Sequence, residues 1–430
     1  MLPPMRSDSP LRWLFLDLNS YFASVEQQLQ PHLRGRPVVV SPVDTDTTSA
    51  IAASYEAKAF GIRTGTPIWE AKRLCRDLII TPARHGAYVD YHNRIRAEVE
   101  RHIPVTKVCS IDEVACRLMD NENDPAFVRD LARRIKAGIA ANVGEYLKCS
   151  IGVAPTRLVA KIACDMRKPD GLTVVEAHEL PERLYALRLT DIPGIGRKME
   201  RRLAAKGVLS IRDLIARGPK RAGEAWGAVN GDRLWWSLCG HEVPEIVTQH
   251  RSIGHSQVLS PSKRDPVAAL ATARRLCLKA ASRLRREGYA ARSLVLHARL
   301  EDGGKFAAHQ HLPLTQDSFS FLAQLSALWP RLADAARRQP GGARIRMVGV
   351  TLAEIAPAGR EQGALFDRDD IDHALAREAR GLRLSRAMDT ANAKFGRNAV
   401  TLGPLMGGRT DHVGAKIAFN RIPDMAEFHE

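Results

Sequence analysis

The sequence has little of what marks secreted, membrane-spanning or metal-thiolate proteins. Its 430 residues include seven cysteines, an odd number without a C-x-x-C pair, so we expect free thiols in a reducing compartment. Long apolar runs are missing, and the first short one, Leu11 to Leu18, is interrupted by Arg12 and Asp17. That run is too short and too polar for a signal peptide or a membrane span. These absences predict a soluble, cytoplasmic protein with no membrane partner.

Negative charge is scarce relative to positive charge. Lysine and arginine number 64 against 48 aspartates and glutamates, which leaves a formal charge of +16. The basic residues are spread through the predicted helices, so the charge belongs to folded surfaces. This pattern favours a polyanionic partner such as nucleic acid, although a uniformly basic proteome would produce the same balance. The length exceeds one compact core and predicts several domains.

Three of the acidic residues stand where metal chemistry could use them. Asp17 ends a predicted buried strand, and Asp112 and Glu113 join two short predicted strands at 106–109 and 114–116. Carboxylates at strand ends can converge, and Mg²⁺ needs only a few of them because water and phosphate oxygens complete its shell. Two such ions can activate an attacking hydroxyl and stabilise the leaving oxygen. On spacing alone, however, these residues are more typical of turns at strand ends.

Four motifs that occur in a fixed order favour the metal site over the turn interpretation. They are Asp17 to Glu26 (DLNSYFASVE), Ser54 to Gly61 (SYEAKAFG), Ser110 to Glu113 (SIDE), and Gly152 to Pro155 (GVAP) continuing to Ala160–Gly171 (AKIACDMRKPDG). With them the chain resembles the Y-family (translesion) DNA polymerases, most closely the DinB or DNA polymerase IV group, and its tail is similar to UmuC-like members. The resemblance covers roughly residues 11–355 and is highly specific, because long motifs rarely recur in order by chance.

Strands mixed with helices indicate an α+β protein, and the resemblance implies a right-hand architecture with a ferredoxin-like palm. The expected parts are a palm at 11–178 with small fingers inserted at about 35–85, a helical thumb with a helix-hairpin-helix at 179–240, a linker at 241–249, an α+β little finger at 250–355 and a flexible C-terminal tail at 356–430. Within them the pattern predicts strands at 13–18, 37–40, 51–53, 150–153, 173–174, 293–299 and 346–352, and helices at 21–29, 55–60, 68–74, 127–143, 266–287 and 318–337.

The resemblance also implies a catalytic centre. Asp17, Asp112 and Glu113 would be the catalytic residues and would hold two Mg²⁺ ions, with the Leu18 carbonyl completing one shell. Neighbouring carboxylates repel one another, so without cations we expect the site to be poorly ordered or partly protonated. Catalysis would then be positioning plus charge neutralisation, with primer–template DNA and dNTPs as substrates.

Three residues would bind the incoming triphosphate: Tyr55, Lys58 and Lys168. Position 58 is usually arginine in the family, and lysine is a point charge where guanidinium is a bidentate fork, so we expect weaker nucleotide binding. Lys168 has an alternative interpretation as a cation that is favourable at a helix C-terminus ahead of Pro169.

Phe22 occupies the position of the family's steric gate, a ring under the sugar that leaves no room for a 2′-hydroxyl. Tyr21 and Phe22 are adjacent in a predicted helix and cannot share a face, so they cannot both fill the same core. Asn19 replaces an acid that is common in DinB relatives, although UmuC-like members carry asparagine. Since the implied ligands are Asp17 and the Leu18 carbonyl, we do not interpret Asn19 as damage to the site.

A glycine-rich turn in the basic thumb segment predicts DNA contact. Gly194 and Gly196 allow a tight hairpin, and the helix that begins at Arg197 and Lys198 can receive a phosphate on its N-terminal N–H groups. A helix-hairpin-helix of this kind grips duplex backbone without reading sequence. In isolation the G-x-G would more often be a connector between helices; its basic, helical flanks favour the DNA interpretation.

Residues 361–367 resemble the peptide that docks bacterial sliding clamps, with Gln362 as the anchor and Leu365 and Phe366 as the apolar side chains. Other mutagenesis factors are further possible partners. The spacing of apolar residues predicts an amphipathic helix at 371–402, with Leu384, Met388 and Phe395 on its apolar stripe.

The leading hypothesis is a template-directed, low-fidelity translesion DNA polymerase that works by two-metal phosphoryl transfer. A catalytically silent, clamp-tethered adaptor is the alternative, but it would be expected to lose the acids. A nucleotidyl cyclase or nuclease on a similar palm leaves the thumb hairpin and the clamp-like peptide without a role.

Overall fold

The computed structural model describes residues 10–42, 46, 48–227, 229–246, 251–338, 344–359, 368–396, 399–402 and 422. The chain forms two compact units, with the main boundary between Glu245 and Ile246. In the described part of the chain, no helix is long and apolar enough to cross a membrane. All seven cysteines are free, and all but Cys109 are buried, in agreement with the thiol prediction.

The first unit is built on a five-stranded sheet in the order β5-β6-β1-β7-β8. Its strands are β1 (Trp13–Leu18), β5 (Lys107–Val108), β6 (Glu113–Arg117), β7 (Cys149–Ala154) and β8 (Leu172–Val174). The central strand β1 pairs antiparallel with β6 and β7, and β7 pairs parallel with β8. Because helices cover both faces of the sheet, β1 is buried along nearly its whole length, which explains its continuous apolar run.

Alternation along β1 divides the core into two layers. Leu14, Leu16 and Leu18 pack with helices α1 (Tyr21–Leu29), α4 (His85–Glu100) and α5 (Pro125–Asn142). Phe15 packs on the opposite face, against α6 (Arg157–Met166). Asp17 has the parity of Phe15, so it points to the α6 face. This parity decides which side of the sheet carries the site.

A three-stranded sheet with its own apolar cluster lies between α1 and α4 in the sequence. It contains β2 (Val38–Ser41), β3 (Ala52–Ala53) and β4 (Ile79–Pro82), and it carries α2 (Tyr55–Ala59) and α3 (Ile68–Leu74). Ser54 caps α2, since its Oγ accepts a hydrogen bond from the Ala57 N–H at 3.3 Å. The cap places Tyr55 and Lys58 on the first turn of α2.

Four helices complete the first unit: α7 (Arg197–Ala204), α8 (Ile211–Ala216), α9 (Gly218–Trp226) and α10 (Val229–Leu238). A capping box starts α8, in which Ser210 and Asp213 exchange side-chain and backbone hydrogen bonds of 3.1 and 2.9 Å. The apolar side chains of α7, α8 and α9 share one core with α6.

The second unit contains a four-stranded antiparallel sheet in the order β11-β10-β12-β9, with α11 (Pro266–Arg286) and α12 (Ser318–Arg337) packed against it. The strands are β9 (Ser252–Val258), β10 (Tyr289–Leu300), β11 (Lys305–Thr315) and β12 (Ile345–Pro357). The sequence pattern missed β11, because this edge strand alternates polar, exposed residues such as His309 and His311 and includes Pro313. It also missed α4, whose apolar positions are spaced among charged ones.

The tail contains a helix, α13 (Arg368–Phe395), where one was predicted at 371–402, but the helix ends at Phe395 and the expected apolar stripe is wrong. Leu384 is 46% exposed and Phe395 70% exposed. The face that packs on the second unit is instead made of small and polar residues around Gly381 and Ser385, and Arg285 forms a bidentate pair with Asp389 at 2.7 and 3.0 Å. Close approach explains this choice, since a Cβ on Gly381 would lie 2.5 Å from Asp317 Oδ1.

Candidate active site

Asp17 and Glu113 face each other across two paired strands. They are direct cross-strand partners in the β1–β6 ladder, so both side chains lie on the α6 face of the sheet. Asp17 is 6% exposed, and Glu113 is partly buried. The carboxylates that the sequence places 96 positions apart are therefore neighbours in the fold.

Asp112 sits in the tight turn that precedes β6, and several hydrogen bonds hold this turn. The Leu18 N–H donates to the Asp112 carbonyl at 2.9 Å, which ties the turn to the end of β1. Ser110 Oγ donates to Asp112 Oδ1 at 2.5 Å, and the buried His92 bonds through Nδ1 to the Ile111 carbonyl at 2.8 Å. The predicted hairpin at Asp112 and Glu113 is confirmed. His92 is a supporting residue that sequence reasoning missed, because α4 itself was missed.

Two lysines reach the carboxylates, Lys161 from the middle of α6 and Lys168 from the loop after it. Lys161 Nζ lies 2.6 Å from Asp17 Oδ2 and 2.7 Å from Glu113 Oε1. Lys168 Nζ lies 2.8 Å from the same Asp17 oxygen. Both ammonium groups also contact Asp165 Oδ1, at 3.2 and 2.8 Å. The expectation was that the acids would be poorly ordered or partly protonated without cations; here the chain supplies two cations of its own, the ammonium groups of Lys161 and Lys168.

The electrostatics of the three acids differ. Burial favours the neutral form of Asp17, but the ammonium groups of Lys161 and Lys168 outweigh burial and hold the pKa of Asp17 below its usual value. Burial raises the pKa of Asp112, in spite of the hydrogen bond from Ser110, and the charge of Asp17 adds to the rise. Burial likewise raises the pKa of Glu113, against the attraction of Lys161. Asp17 is therefore the anionic centre of the cluster.

The donor set suits a hard divalent cation. Asp17, Asp112 and Glu113 are oxygen ligands of the kind that Mg²⁺ prefers, and Asp17 and Glu113 already share one cation, the Lys161 ammonium. Within the described residues, however, no three histidine, cysteine, aspartate or glutamate side chains converge closely enough to hold an ion as they stand. The chemistry of the residues fits a metal site, and the ammonium groups occupy the space between the ligands.

The predicted nucleotide contacts gather beside this cluster. Lys58 Nζ donates to Ser20 Oγ at 2.7 Å and lies 4.3 Å from the centre of the Tyr55 ring. Burial lowers the pKa of Lys58, and the nearby positive charge of Lys168 lowers it further. Lys168 points its ammonium at Asp17 and Asp165, so its position agrees with a role at the site. Tyr55, Lys58 and Lys168 therefore form a cationic and phenolic rim next to Asp17.

Asn19 is a structural residue of the site. Its side chain is buried, its Oδ1 accepts a hydrogen bond from the Asp170 N–H at 2.7 Å, and its Nδ2 donates to Ser150 Oγ at 3.1 Å. These bonds tie the end of β1 to the loop that carries Lys168. Asparagine, which both donates and accepts, suits this position better than an acid would.

Phe22 and Tyr21 take different roles, as the helical spacing requires. Tyr21 is buried and its hydroxyl donates to the Tyr88 carbonyl at 2.6 Å, while Phe22 is partly exposed and stacks on the Tyr88 ring at 4.5 Å. Tyr88 is held in turn by Glu26, whose Oε1 accepts from its hydroxyl at 2.7 Å. Glu26 is fully buried and forms a two-bond pair with Arg84. This support behind Phe22 was not visible in the sequence.

Lys161 is the main site residue that sequence reasoning passed over. It lies four positions before Asp165 and seven before Lys168 within a motif that had been recognised. Residues four apart in a helix share a face, so the spacing of Lys161 and Asp165 could have found it.

The thumb turn has the geometry of a hairpin. Gly194 adopts φ +95°, which glycine tolerates, and the Ile195 N–H donates to the Ile192 carbonyl at 3.0 Å. Gly196 precedes the first turn of α7, where Arg197 and Lys198 are exposed. No other atom lies within 4 Å of the position that a Cβ on Gly196 would take, so this side of the turn is open. The predicted clamp contacts Gln362, Leu365 and Phe366 lie outside the described residues.

Known proteins match the chain along most of its length. The model of the impB/mucB/samB family matches residues 16–165, its C-terminal domain matches 250–365, and the IMS family HHH motif matches 178–208. The DNA polymerase IV of Moorella thermoacetica is 32% identical over 398 residues, covering 90% of this chain and 94% of the relative. The protein of the same name from Bacillus velezensis is 29% identical and covers 91% and 92%.

Solved structures give the same picture. A Y-family DNA polymerase chimera superposes with a TM-score of 0.67 at 25% identity, covering 80% of this chain and 99% of its own. An insertion ternary complex of Dbh DNA polymerase gives a TM-score of 0.52 at 26% identity, with the same coverage.

Proposed function

The chain belongs to the Y-family DNA polymerases, within the DNA polymerase IV group, and on that premise we propose that it is a template-directed, low-fidelity translesion DNA polymerase. It extends a primer 3′-hydroxyl with dNTPs on templates that carry lesions. The observation that carries the proposal is the meeting of Asp17 and Glu113 across β1 and β6, with Lys58 and Lys168 beside them. An adaptor without catalysis would have no need for these acids.

Each part of the site has one task in this reaction. Asp17, Asp112 and Glu113, with the Leu18 carbonyl, would hold two Mg²⁺ ions. Those ions, when bound, lower the pKa of the primer hydroxyl and neutralise charge on the leaving pyrophosphate. The protein otherwise contributes positioning and fixed charge, which is where catalysis of phosphoryl transfer mainly resides.

The rim of Tyr55, Lys58 and Lys168 is the part of the site proposed to bind the incoming nucleotide. Tyr55, Lys58 and Lys168 orient the triphosphate by hydrogen bonding and positive charge. Phe22 would lie under the sugar, and its ring would exclude a 2′-hydroxyl because the stacked Tyr88 ring blocks its movement away from the sugar. Lys58 contributes one point charge, so its hold on the phosphates is weaker than that of the bidentate arginine usual in the family.

The test is primer extension with Mg²⁺ on paired templates, one undamaged and one with an abasic site. The parent chain should extend both, and Asp112→Ala should extend neither. Asp130→Ala, which removes an exposed acid of α5 that pairs with Arg134 of the same helix, is the matched control and should retain full activity. Absence of extension by the parent on both templates would overturn the polymerase proposal.

We also propose that Gln362, Leu365 and Phe366 tether the enzyme to a bacterial sliding clamp. The support is in the sequence, where one amide and two large apolar side chains follow the last strand of the second unit. Gly363 and Ala364 replace the leucine that commonly follows the glutamine, so docking should be weak. Even weak docking raises local concentration at the primer end and lengthens synthesis per encounter. Replacing Leu365 and Phe366 by alanine should remove stimulation by a loaded clamp and spare basal extension; full stimulation would place the tether elsewhere.

A further inference from the structure

Lys161 is a charged group of the site to which the proposed reaction gives no task. Its ammonium contacts three carboxylates, Asp17 at 2.6 Å, Glu113 at 2.7 Å and Asp165 at 3.2 Å. Its side chain is only 17% exposed. Two of these carboxylates are the ones assigned to metal, so Lys161 is bonded to metal ligands.

An ammonium in this position has two opposite effects on a metal site. It holds together acids that would otherwise repel, and its three N–H donors match three carboxylate acceptors. It also uses the oxygens that a divalent ion needs, and two cations a few ångströms apart repel strongly in a partly buried site. Metal binding therefore requires the Lys161 ammonium to move.

Asp165 is an alternative acceptor for the Lys161 ammonium. It lies one helical turn after Lys161 on α6 and already accepts a hydrogen bond from it. It accepts from Lys168 as well, at 2.8 Å. A lysine that leaves Asp17 can thus keep an ionic partner through a change of side-chain rotamer alone. Asp165 belongs to α6 and is not one of the acids of the β1–β6 ladder, Asp17 and Glu113.

We propose that Lys161 is a displaceable internal counterion. In the metal-free enzyme its ammonium holds Asp17 and Glu113 in place, and on metal binding it shifts onto Asp165. The proposal rests on the function proposed above, because that function assigns metal to these carboxylates. Lys168 shares two of these partners, Asp17 and Asp165. A triphosphate that draws Lys168 from Asp17 therefore also favours metal binding, and the binding of the two ligands is coupled.

The experiment measures metal binding to the full-length chain without DNA or nucleotide. Free Mn²⁺ is followed by electron paramagnetic resonance during a titration. Lys161→Met removes the competing charge and should bind Mn²⁺ about tenfold or more tightly than the parent. Lys161→Arg keeps the charge and should stay within a few-fold of the parent. The control is Lys72→Met, which removes an exposed lysine of α3 that pairs with Asp46 and has no contact with the acids, and it should change nothing.

A second variant tests the role of Asp165 as the alternative acceptor, and it should change the Mn²⁺ affinity in the opposite direction. Asp165→Asn removes the alternative acceptor, so both ammonium groups should remain on Asp17 and Mn²⁺ binding should weaken several-fold. A purely structural role for Lys161 predicts weaker binding on its loss, never tighter. If Lys161→Met fails to fold, Asp165→Asn decides alone, since unchanged or tighter binding contradicts the proposal.

The two proposals fail differently. A parent chain that extends primers, together with a Lys161→Met variant that binds Mn²⁺ no more tightly than the parent, would overturn the counterion alone. A parent chain that binds Mn²⁺ at these acids but extends no primer would overturn the polymerase function. In that case the Mn²⁺ affinities of the two variants would still decide the counterion proposal.

Discussion

Asp17 in the first unit and Asp317 in the second are two buried aspartates at the same kind of junction, but their partners differ. Each lies where a strand gives way to a helix, and they are 6% and 3% exposed. Asp317 caps α12, since its carboxylate accepts from the N–H groups of Phe319 and Ser320 at 3.0 and 2.9 Å. Asp17 accepts from two lysine ammonium groups at 2.6 and 2.8 Å.

The difference separates an acid held by backbone donors from an acid held by mobile side chains. Backbone N–H groups at a helix start are fixed in place, so they occupy the Asp317 oxygens permanently. A lysine reaches its partner through a flexible four-carbon stem and can be exchanged for another cation. Asp17 is also too early to cap α1, whose N-cap position belongs to Ser20. A buried carboxylate held by mobile donors is therefore available to a ligand, and one held by a helix start is not.

The largest effect should come from removing the three acids of the proposed metal site. Asp17→Ala, Asp112→Ala and Glu113→Ala should each lower the rate of primer extension by about a hundredfold or more, because each removes charge stabilisation that the reaction needs. Duplex affinity, measured by fluorescence anisotropy, should change little, since the basic surfaces bind phosphate. A loss of duplex affinity as large as the loss of rate would mean that these acids are structural.

Asp317→Ala should show the reverse profile. Loss of an N-cap costs about 1–2 kcal/mol, which lowers Tm by about 2–4 °C for each kcal/mol in a unit of this size. Extension per folded molecule should remain near that of the parent at low temperature. Differential scanning calorimetry measures the Tm, and the extension assay measures the activity. An unshifted Tm would show that the Asp317 cap does not stabilise the fold.

The steric gate should give an intermediate effect, because Phe22 acts on the substrate but depends on core packing. Phe22→Ala should relax discrimination between dNTPs and rNTPs by about tenfold or more. Tyr88→Leu removes the stacked ring behind Phe22 and should relax it by about two- to tenfold, the range expected from the energy of an aromatic pair. Tyr88→Phe keeps the ring and serves as the control. Single-nucleotide insertion with paired dNTP and rNTP measures the ratio, and unchanged discrimination by Phe22→Ala would refute the gate.

The smallest effect is expected at the thumb turn, where interactions with DNA should be many and individually weak. Replacing Arg197 and Lys198 by glutamine should shallow the salt dependence of duplex binding, by about one unit of slope for each phosphate that the variant no longer neutralises. Affinity should depend little on DNA sequence in parent and variant alike. A flat salt response in the parent would exclude backbone binding at this surface.

Much of the fold could be predicted from the chain because its elements are strongly patterned. The strand at 13–18 and the helices at 21–29, 68–74 and 318–337 are confirmed at their predicted bounds. Prediction failed where an element is edge-exposed or where its packing face is not apolar. The strand Lys305–Thr315 is of the first kind, and the packed face of α13 around Gly381 is of the second.

By itself the sequence determined the family and predicted the three acids and the ring at Phe22, because these depend on residue types in ordered local motifs. Only the tertiary structure decided what those residues touch. The Lys161 ammonium between Asp17 and Glu113 and the Tyr88 ring behind Phe22 are contacts between positions far apart in the chain. Periodicity tells which face of an element a side chain occupies, but the pairing of β1 with β6 and the packing of α6 decide what lies opposite that face. For the same reason, Asp17 and Asp317 look alike in the sequence until their donors are known.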